Sequence, residues 1–135
     1  MIQEWNDPKC FEINSKNYKL FAANVCHTES LGQKLQAFGV QQNVPTLILT
    51  ECLLIYLTPD DSRGILRWSS EFFNASPFLG VLNYEMIGPD DSFGRKMLEN
   101  LKERGCELKG IEGCPDTASQ VKRMEDCLAT EGHKV

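Results

Sequence analysis

The sequence predicts an α/β fold built on an incomplete, doubly wound parallel sheet. Apolar runs of strand character alternate with segments of helical periodicity, and helix start and stop signals separate them. Strands that alternate with helices of about ten to fifteen residues are typical of a parallel sheet with right-handed crossovers. The chain has 135 residues, 41% hydrophobic and 24% charged, which is the balance of one domain with a buried core.

Seven elements follow from these patterns. Three apolar runs predict strands, at 18–25, 46–57 and 78–87. Four segments predict helices, each with an inner apolar face: Leu31, Leu35 and Phe38 before Gly39; Ile65, Leu66, Trp68, Ser69, Phe72 and Phe73 within 59–73; Phe93, Met97, Leu98 and Leu101 before Gly105; and Val121, Met124 and Leu128 within 117–129.

Glu51 is the most informative residue, because it interrupts the apolar run of the second predicted strand. An uncompensated buried charge costs several kcal/mol, roughly, so a carboxylate there meets protein donors or faces a cleft that holds a polar ligand. The run ends at Thr58-Pro59-Asp60-Asp61, which signals a helix start. Ligands of open α/β sheets collect at the carboxyl ends of strands, so this segment is the predicted site. A structural carboxylate paired with an amide or an Arg is the alternative.

Composition excludes several classes of function. The formal net charge is −5 and the 14 basic residues are scattered among acids, which argues against a nucleic-acid footprint. The longest apolar run is about half of the ~20 residues that a membrane helix requires. The first residues have neither the basic nor the apolar region of a signal peptide, so we expect a cytoplasmic protein.

The six cysteines do not predict a metal site or a disulfide framework. No Cys-x-x-Cys occurs, and the only histidines are His27 and His133. Reduced structural thiols are therefore expected, and no metal. No Gly-x-Gly motif, which would mark a nucleotide-binding turn, is present either.

Several blocks of the chain, in order, resemble the leucine carboxyl methyltransferases. The resemblance extends from about Ser15 to Gly132 and rests on five blocks: Pro45–Pro59, Asn83–Glu85, Pro89–Gly94, Met97–Leu101 and Arg104–Ile111. It implies a partial methyltransferase domain over 1–135 that holds the central strands and helices of the family's catalytic domain. The glycine-rich donor-binding part and the last strands of that domain have no counterpart here.

The resemblance also implies a cofactor, S-adenosylmethionine, and the residues that bind it. Glu51 is expected at the adenosine part of this methyl donor, and Asn24 and Val25 in a turn that contacts the adenine. The family has an Asp-Leu pair where this chain has Asn24-Val25. An amide still accepts a hydrogen bond but without charge assistance, so weaker donor binding is expected.

The implied acceptor is the carboxyl-terminal leucine of the protein phosphatase 2A catalytic subunit, and the implied product is its methyl ester. Tyr56, Tyr84 and Glu85 are the predicted substrate-binding residues, and the sequence identifies no catalytic residue. Tyr56 and Tyr84 also have a plainer interpretation as core or rim aromatics. Activity is expected to be impaired, because methyl transfer depends on a whole pocket that aligns the reactants and excludes water.

Two alternatives remain. The chain is a non-catalytic interaction fragment or inactive isoform that binds the phosphatase or a full-length partner, for which exposed sheet edges would be suited. The other alternative is an unrelated small α/β binding domain, which requires the family blocks to be accidental.

Overall fold

Two units make up the described part of the chain, residues 12–128 of a computed structural model, and they divide between Gln41 and Gln42. Each has mixed α and β structure. The predicted end of the last helix at Ala129, and Cys10 and His133 among the residues weighed as metal ligands, lie outside the described residues.

The first unit contains a short hairpin and one helix. Strand β1 (Ile13–Asn14) pairs antiparallel with β2 (Lys19–Leu20), and helix α1 covers Thr28–Ala37. The prediction of a long strand at 18–25 is therefore wrong: only two of its residues are in a strand, and that strand pairs within its own hairpin. At the end of the predicted range, the Asn24 side chain accepts a hydrogen bond from the Cys26 N–H at 3.1 Å, an Asx turn.

The predicted stop of α1 at Gly39 is confirmed. Phe38 is the C-cap, and Gly39 has a φ of +78°, a left-handed conformation that glycine adopts without steric cost.

The second unit is built on a two-stranded parallel sheet. Strand β3 (Thr46–Glu51) pairs with β4 (Leu79–Tyr84), from Thr46 opposite Leu79 to Glu51 opposite Tyr84. Helix α2 (Pro59–Phe72) connects the two strands, and helices α3 (Ser92–Glu103) and α4 (Thr117–Leu128) follow. The predicted α/β character and the small parallel sheet are confirmed, with two parallel strands in the described residues instead of three.

The predicted second strand is shorter than the apolar run that indicated it. β3 ends at Glu51, and Cys52 has a φ of +45°, which takes the backbone out of the strand. A 3-10 turn (Leu54–Tyr56) follows and buries Leu54 and Ile55, each 1% exposed. The apolar run is thus divided between a strand and a buried turn, because hydrophobicity alone does not distinguish the two.

One face of the parallel sheet is uncovered. Leu47, Leu49, Leu82 and Tyr84 are between 57% and 67% exposed, and they occupy alternate positions of paired strands. The prediction that this run is buried is wrong for this face. On the opposite face, Thr50 is buried.

Helix α2 begins and ends close to its predicted bounds. Its N-cap residue Thr58 accepts a hydrogen bond from the Asp61 N–H at 3.1 Å, as the start signal predicts. Ile65 and Leu66 are buried, and α2 packs against α4.

The inner faces of α3 and α4 were predicted only in part. Phe93 is 77% exposed and Val121 is also exposed, so both are wrongly placed in the predicted core. Apolar spacing predicts a helix face, but whether that face is buried depends on which elements pack across it. The small core that does form joins the 3-10 turn to the segment after α3: Ile55, Leu108 and Ile111, with Met86, Met97, Leu98 and Leu101 against them.

No helix in residues 12–128 has the length and apolar character needed to span a bilayer.

Candidate functional site

The carboxyl end of the parallel sheet places Glu51 and Tyr84 side by side. They are the last register pair of β3 and β4, and both side chains are exposed on the uncovered face. The ladder closes one residue later, where the Cys52 N–H donates to the Tyr84 carbonyl at 2.8 Å. Two predicted site residues therefore meet at the strand ends, where ligands of open α/β sheets bind.

Glu51 is solvent-exposed, contrary to the expectation of a buried carboxylate. Within residues 12–128 its side chain makes no hydrogen bond or ion pair that would engage it structurally. Glu51 is therefore not a buried charge that needs a protein partner. It does lie at the strand end, where a ligand would bind. The carboxylate keeps its acceptor oxygens available to hydroxyl or amine donors.

Tyr56 is the third residue of the 3-10 turn that follows Glu51. The turn buries Leu54 and Ile55 but leaves Tyr56 exposed. Gly110 supports the turn from behind, because its N–H donates to the Ile55 carbonyl at 2.8 Å. The phenol is thus presented by a turn whose inner side is packed.

Glu85 follows Tyr84 and belongs to the opposite, covered side of the strand end. Its Oε1 accepts a hydrogen bond from the Leu54 N–H at 2.8 Å, and its Oε2 is buried without a partner. Burial raises the pKa of the Glu85 carboxyl, against the lowering effect of the Leu54 and Ile55 N–H groups and of the Arg123 charge.

A chain of polar contacts connects this covered side to α4. The Thr50 hydroxyl donates to Asn83 Oδ1 at 2.7 Å, and Asn83 Nδ2 donates to Gln120 Oε1 at 3.2 Å. Arg123 donates through Nη2 to the same Gln120 oxygen and through Nη1 to Ser62 Oγ at 3.4 Å. These residues tie the two strand ends to α2 and α4.

Sequence reasoning missed Arg123, which is only 4% exposed. A signal was present, because Gln120, Arg123 and Cys127 are three and four residues apart and so share one helix face. Only the structure shows that this face is buried, with Cys127 5% exposed.

Asn24 and Val25 lie in the first unit, in the turn before α1. The Asn24 side-chain oxygen is engaged by the Cys26 N–H, as described above, and both residues precede the N-cap residue His27. The amide nitrogen of Asn24 donates no hydrogen bond among the described residues. Their predicted contact with the adenine stays a prediction.

A groove near the end of α3 contains none of the predicted site residues. This groove of about 620 Å³ is lined by Leu98, Lys102 and residues 106–109, 111 and 112. Residues 12–128 contain no cluster of three or more His, Cys, Asp or Glu side chains arranged to hold a metal ion.

Comparison with known proteins identifies relatives of this chain. A sequence model described as leucine carboxyl methyltransferase matches residues 9–70. Leucine carboxyl methyltransferase 1 of Rattus norvegicus is 38% identical over 112 residues, which are 83% of this chain and 33% of the relative. The leucine carboxyl methyltransferase 1 homolog of Arabidopsis thaliana is 39% identical over 115 residues, 85% of this chain and 34% of the relative.

A relative with a different name matches as well. The tRNA wybutosine-synthesizing protein 4 of Rattus norvegicus is 33% identical over 115 residues, 85% of this chain and 16% of the relative. The chain spans about a third of the length of the leucine carboxyl methyltransferases that it matches.

Proposed function

Because the chain belongs to the leucine carboxyl methyltransferase family, we propose that it forms part of an S-adenosylmethionine-dependent carboxyl methyltransferase domain. The observation that carries the proposal is the exposed Glu51–Tyr84 pair at the carboxyl ends of two parallel strands. An unengaged carboxylate at this edge is suited to the hydroxyl or amine groups of an adenosine.

The donor-binding residues of the proposal are Glu51, Asn24 and Val25. Glu51 fits, because its carboxylate is exposed and has no partner among the described residues. Asn24 fits less well, since its side-chain oxygen already accepts a hydrogen bond from the Cys26 N–H and an amide lacks the charge of a carboxylate. Glu51 is therefore the main donor contact of this chain, and Asn24 and Val25 are weaker ones.

The acceptor of the proposal is the carboxyl-terminal leucine of the protein phosphatase 2A catalytic subunit, in the cytoplasm. When bound, S-adenosylmethionine supplies a methyl group on a sulfonium, which a carboxylate oxygen accepts by in-line displacement without a covalent enzyme intermediate. The task of the chain is alignment and exclusion of water. Tyr84 and Tyr56 are exposed aromatics beside the strand end, and they would line the path of the leucine side chain.

The uncovered sheet face supports the doubly wound form of the fold. Parallel sheets are covered on both faces, yet Leu47, Leu49 and Leu82 are exposed here. A second helical layer over this face is what the doubly wound arrangement would supply. Residues 1–135 would then be one part of such a domain.

The same face favours a second candidate function, a non-catalytic interaction fragment. A contiguous apolar surface on a small sheet is suited to protein association. In this alternative the chain would bind a full-length member of its family through Leu47, Leu49 and Leu82 and would make no product.

Calorimetric titration of the purified chain with S-adenosylmethionine tests the first proposal. Wild type should bind, and Glu51→Ala should lose at least about tenfold in affinity, since hydrogen bonds to a charged group contribute about 1.5–3 kcal/mol. Glu103→Ala, which removes an exposed acid from the end of α3, is the matched control and should bind like wild type.

Absence of heat from a chain shown to be folded by circular dichroism would overturn donor binding. A pull-down of a full-length family member, lost on Leu49→Lys, would then support the interaction fragment. Donor binding, in contrast, would justify a methyl-transfer assay on the phosphatase catalytic subunit with and without its terminal leucine.

A further inference from the structure

We infer that Glu85 is a positioning residue: it fixes the turn that follows Glu51, and buried Arg123 keeps it in that place. This inference rests on the proposed role of Glu51 as the donor contact. It replaces the direct substrate contact that the sequence predicts for Glu85.

The turn after Glu51 needs an external restraint. Cys52 has a φ of +45°, the sole non-glycine residue with positive φ among residues 12–128. Such a conformation is sparsely populated and persists where the surrounding structure holds it. Rotation of the backbone at Cys52 would displace Leu53 and Leu54 and leave Glu51 as a strand end without a fixed segment after it, because the strand ladder ends there.

Glu85 supplies that restraint from the neighbouring strand. Its Oε1 accepts from the Leu54 N–H at 2.8 Å, two residues after Cys52. Leu54 is 1% exposed, so its N–H would lose a partner in a water-poor environment if Glu85 were removed. Together with the hydrogen bond from the Cys52 N–H to the Tyr84 carbonyl, this contact holds both ends of the segment from Cys52 to Leu54.

Arg123 explains how a carboxylate is kept in a partly buried position. The two terminal nitrogens of Arg123 donate hydrogen bonds to Gln120 and Ser62. Arg123 Nε and Glu85 Oε2 are both buried without a hydrogen-bond partner among the described residues. The Arg123 charge also lowers the pKa of Glu85 against the effect of burial, which favours the ionised, acceptor-only form.

The charges of both carboxylates act on Cys52. Burial raises the pKa of its thiol first, and the charges of Glu85 and Glu51 raise it further. Glu85 and Glu51 therefore flank one strained residue, Glu85 on the covered side and Glu51 on the exposed side. Removing the covered contact should reorient the exposed one.

The test measures the turn without any ligand, by amide hydrogen exchange at Leu54 in the isotopically labelled 135-residue chain. Glu85→Ala should speed this exchange at least about tenfold, whereas Glu85→Gln keeps an oxygen acceptor and should stay within about threefold of wild type. The matched control is Ser76→Ala, which removes buried side-chain contacts to Val44 and Phe78 at the opposite end of the same strands. It should leave Leu54 unchanged.

A double-mutant cycle tests the role of Arg123. Arg123→Met should speed Leu54 exchange in the wild-type background and have little effect in Glu85→Gln, because the neutral amide needs no counter-charge. An equal effect in both backgrounds would assign Arg123 a packing role only. Unchanged Leu54 exchange in Glu85→Ala, relative to Ser76→Ala, would overturn the positioning role itself.

The affinity for S-adenosylmethionine then tests whether the turn held by Glu85 affects the proposed ligand contact of Glu51. Glu85→Ala should weaken S-adenosylmethionine binding by about tenfold, Glu85→Gln should recover it to within about threefold, and Ser76→Ala should bind like wild type. A wild-type chain that does not bind the donor would defeat the proposed function, while the Leu54 exchange data would still decide whether Glu85 holds the turn. Full donor affinity in Glu85→Ala would overturn the inference.

Discussion

Glu51 and Tyr84 face solvent side by side, as the last residues of two parallel strands. Glu85, the next residue after Tyr84, is instead engaged with the Leu54 N–H on the covered side. The sheet end thus has two chemically different sides, one open to a ligand and one committed to structure.

This division predicts that the Glu51–Tyr84 pair contributes little to folding. Glu51→Ala and Tyr84→Phe should each change the free energy of unfolding by less than about 0.5 kcal/mol, since exposed substitutions away from packed features are usually near neutral. Urea denaturation followed by circular dichroism measures this. A loss above about 1 kcal/mol in either variant would show that the pair is structural and would weaken its assignment as a site.

Glu85 makes stability depend on pH in a defined direction. Its folded pKa is raised above the ordinary value of 4.5, so the folded state binds the proton more tightly than the unfolded state. Its contribution is favourable below pH 4.5 and is lost as pH rises through the raised pKa. Wild type should therefore lose stability relative to Glu85→Gln over that interval.

Parallel urea titrations of both proteins, from below pH 4.5 to neutral pH, check this expectation. The difference between the two free energies of unfolding isolates Glu85, because the other titrating groups are common to both. A difference that stays constant, or that grows in favour of wild type as pH rises, would contradict the raised pKa.

Gly110 should be intolerant of any side chain. A Cβ there would lie 3.1 Å from the Leu54 and Leu57 carbonyl oxygens and 3.2 Å from the Ile55 Cα, all backbone atoms that cannot rotate away. Gly110→Ala should destabilise the chain by about 1–3 kcal/mol through overpacking against the 3-10 turn. Gly64→Ala, where a Cβ meets nothing within 4 Å, is the matched control and should be neutral or slightly stabilising in helix α2.

Comparison of the melting temperatures of the Gly110→Ala and Gly64→Ala variants tests this prediction. Equal melting temperatures for Gly110→Ala and Gly64→Ala would mean that the segment around Gly110 does not pack against the turn.

The thiols should react in an order set by their surroundings. Cys26 and Cys106 are exposed, whereas Cys114 and Cys127 are buried. Burial and the charges of Glu85 and Glu51 raise the pKa of Cys52, and burial also raises that of Cys127, so both stay protonated near neutral pH. Alkylation followed by peptide mass spectrometry should therefore find Cys26 and Cys106 modified before Cys52, Cys114 and Cys127. Early modification of Cys52 would show that the Glu85 and Glu51 carboxylates do not suppress formation of its thiolate.

The sequence alone indicated the resemblance to the leucine carboxyl methyltransferases, the alternation of strands and helices, and Glu51 as a candidate site residue. Helix signals at Thr58 and Gly39 were sufficient because capping and left-handed turns depend on neighbouring residues only.

Tertiary structure decided what is covered and what is exposed. The apolar run through Leu47 and Leu49 has the composition of a buried strand, yet that face is open, since burial depends on which elements pack across it. The hydrogen bonds between Glu85 and Leu54 and between Arg123 and Ser62 join residues 31 and 61 positions apart, and local patterns carry no information about such pairings. Sequence thus singled out Glu51, and only the tertiary contacts, Glu85 with the Leu54 N–H and Asn83 with Gln120 of α4, defined which side of the sheet end is covered.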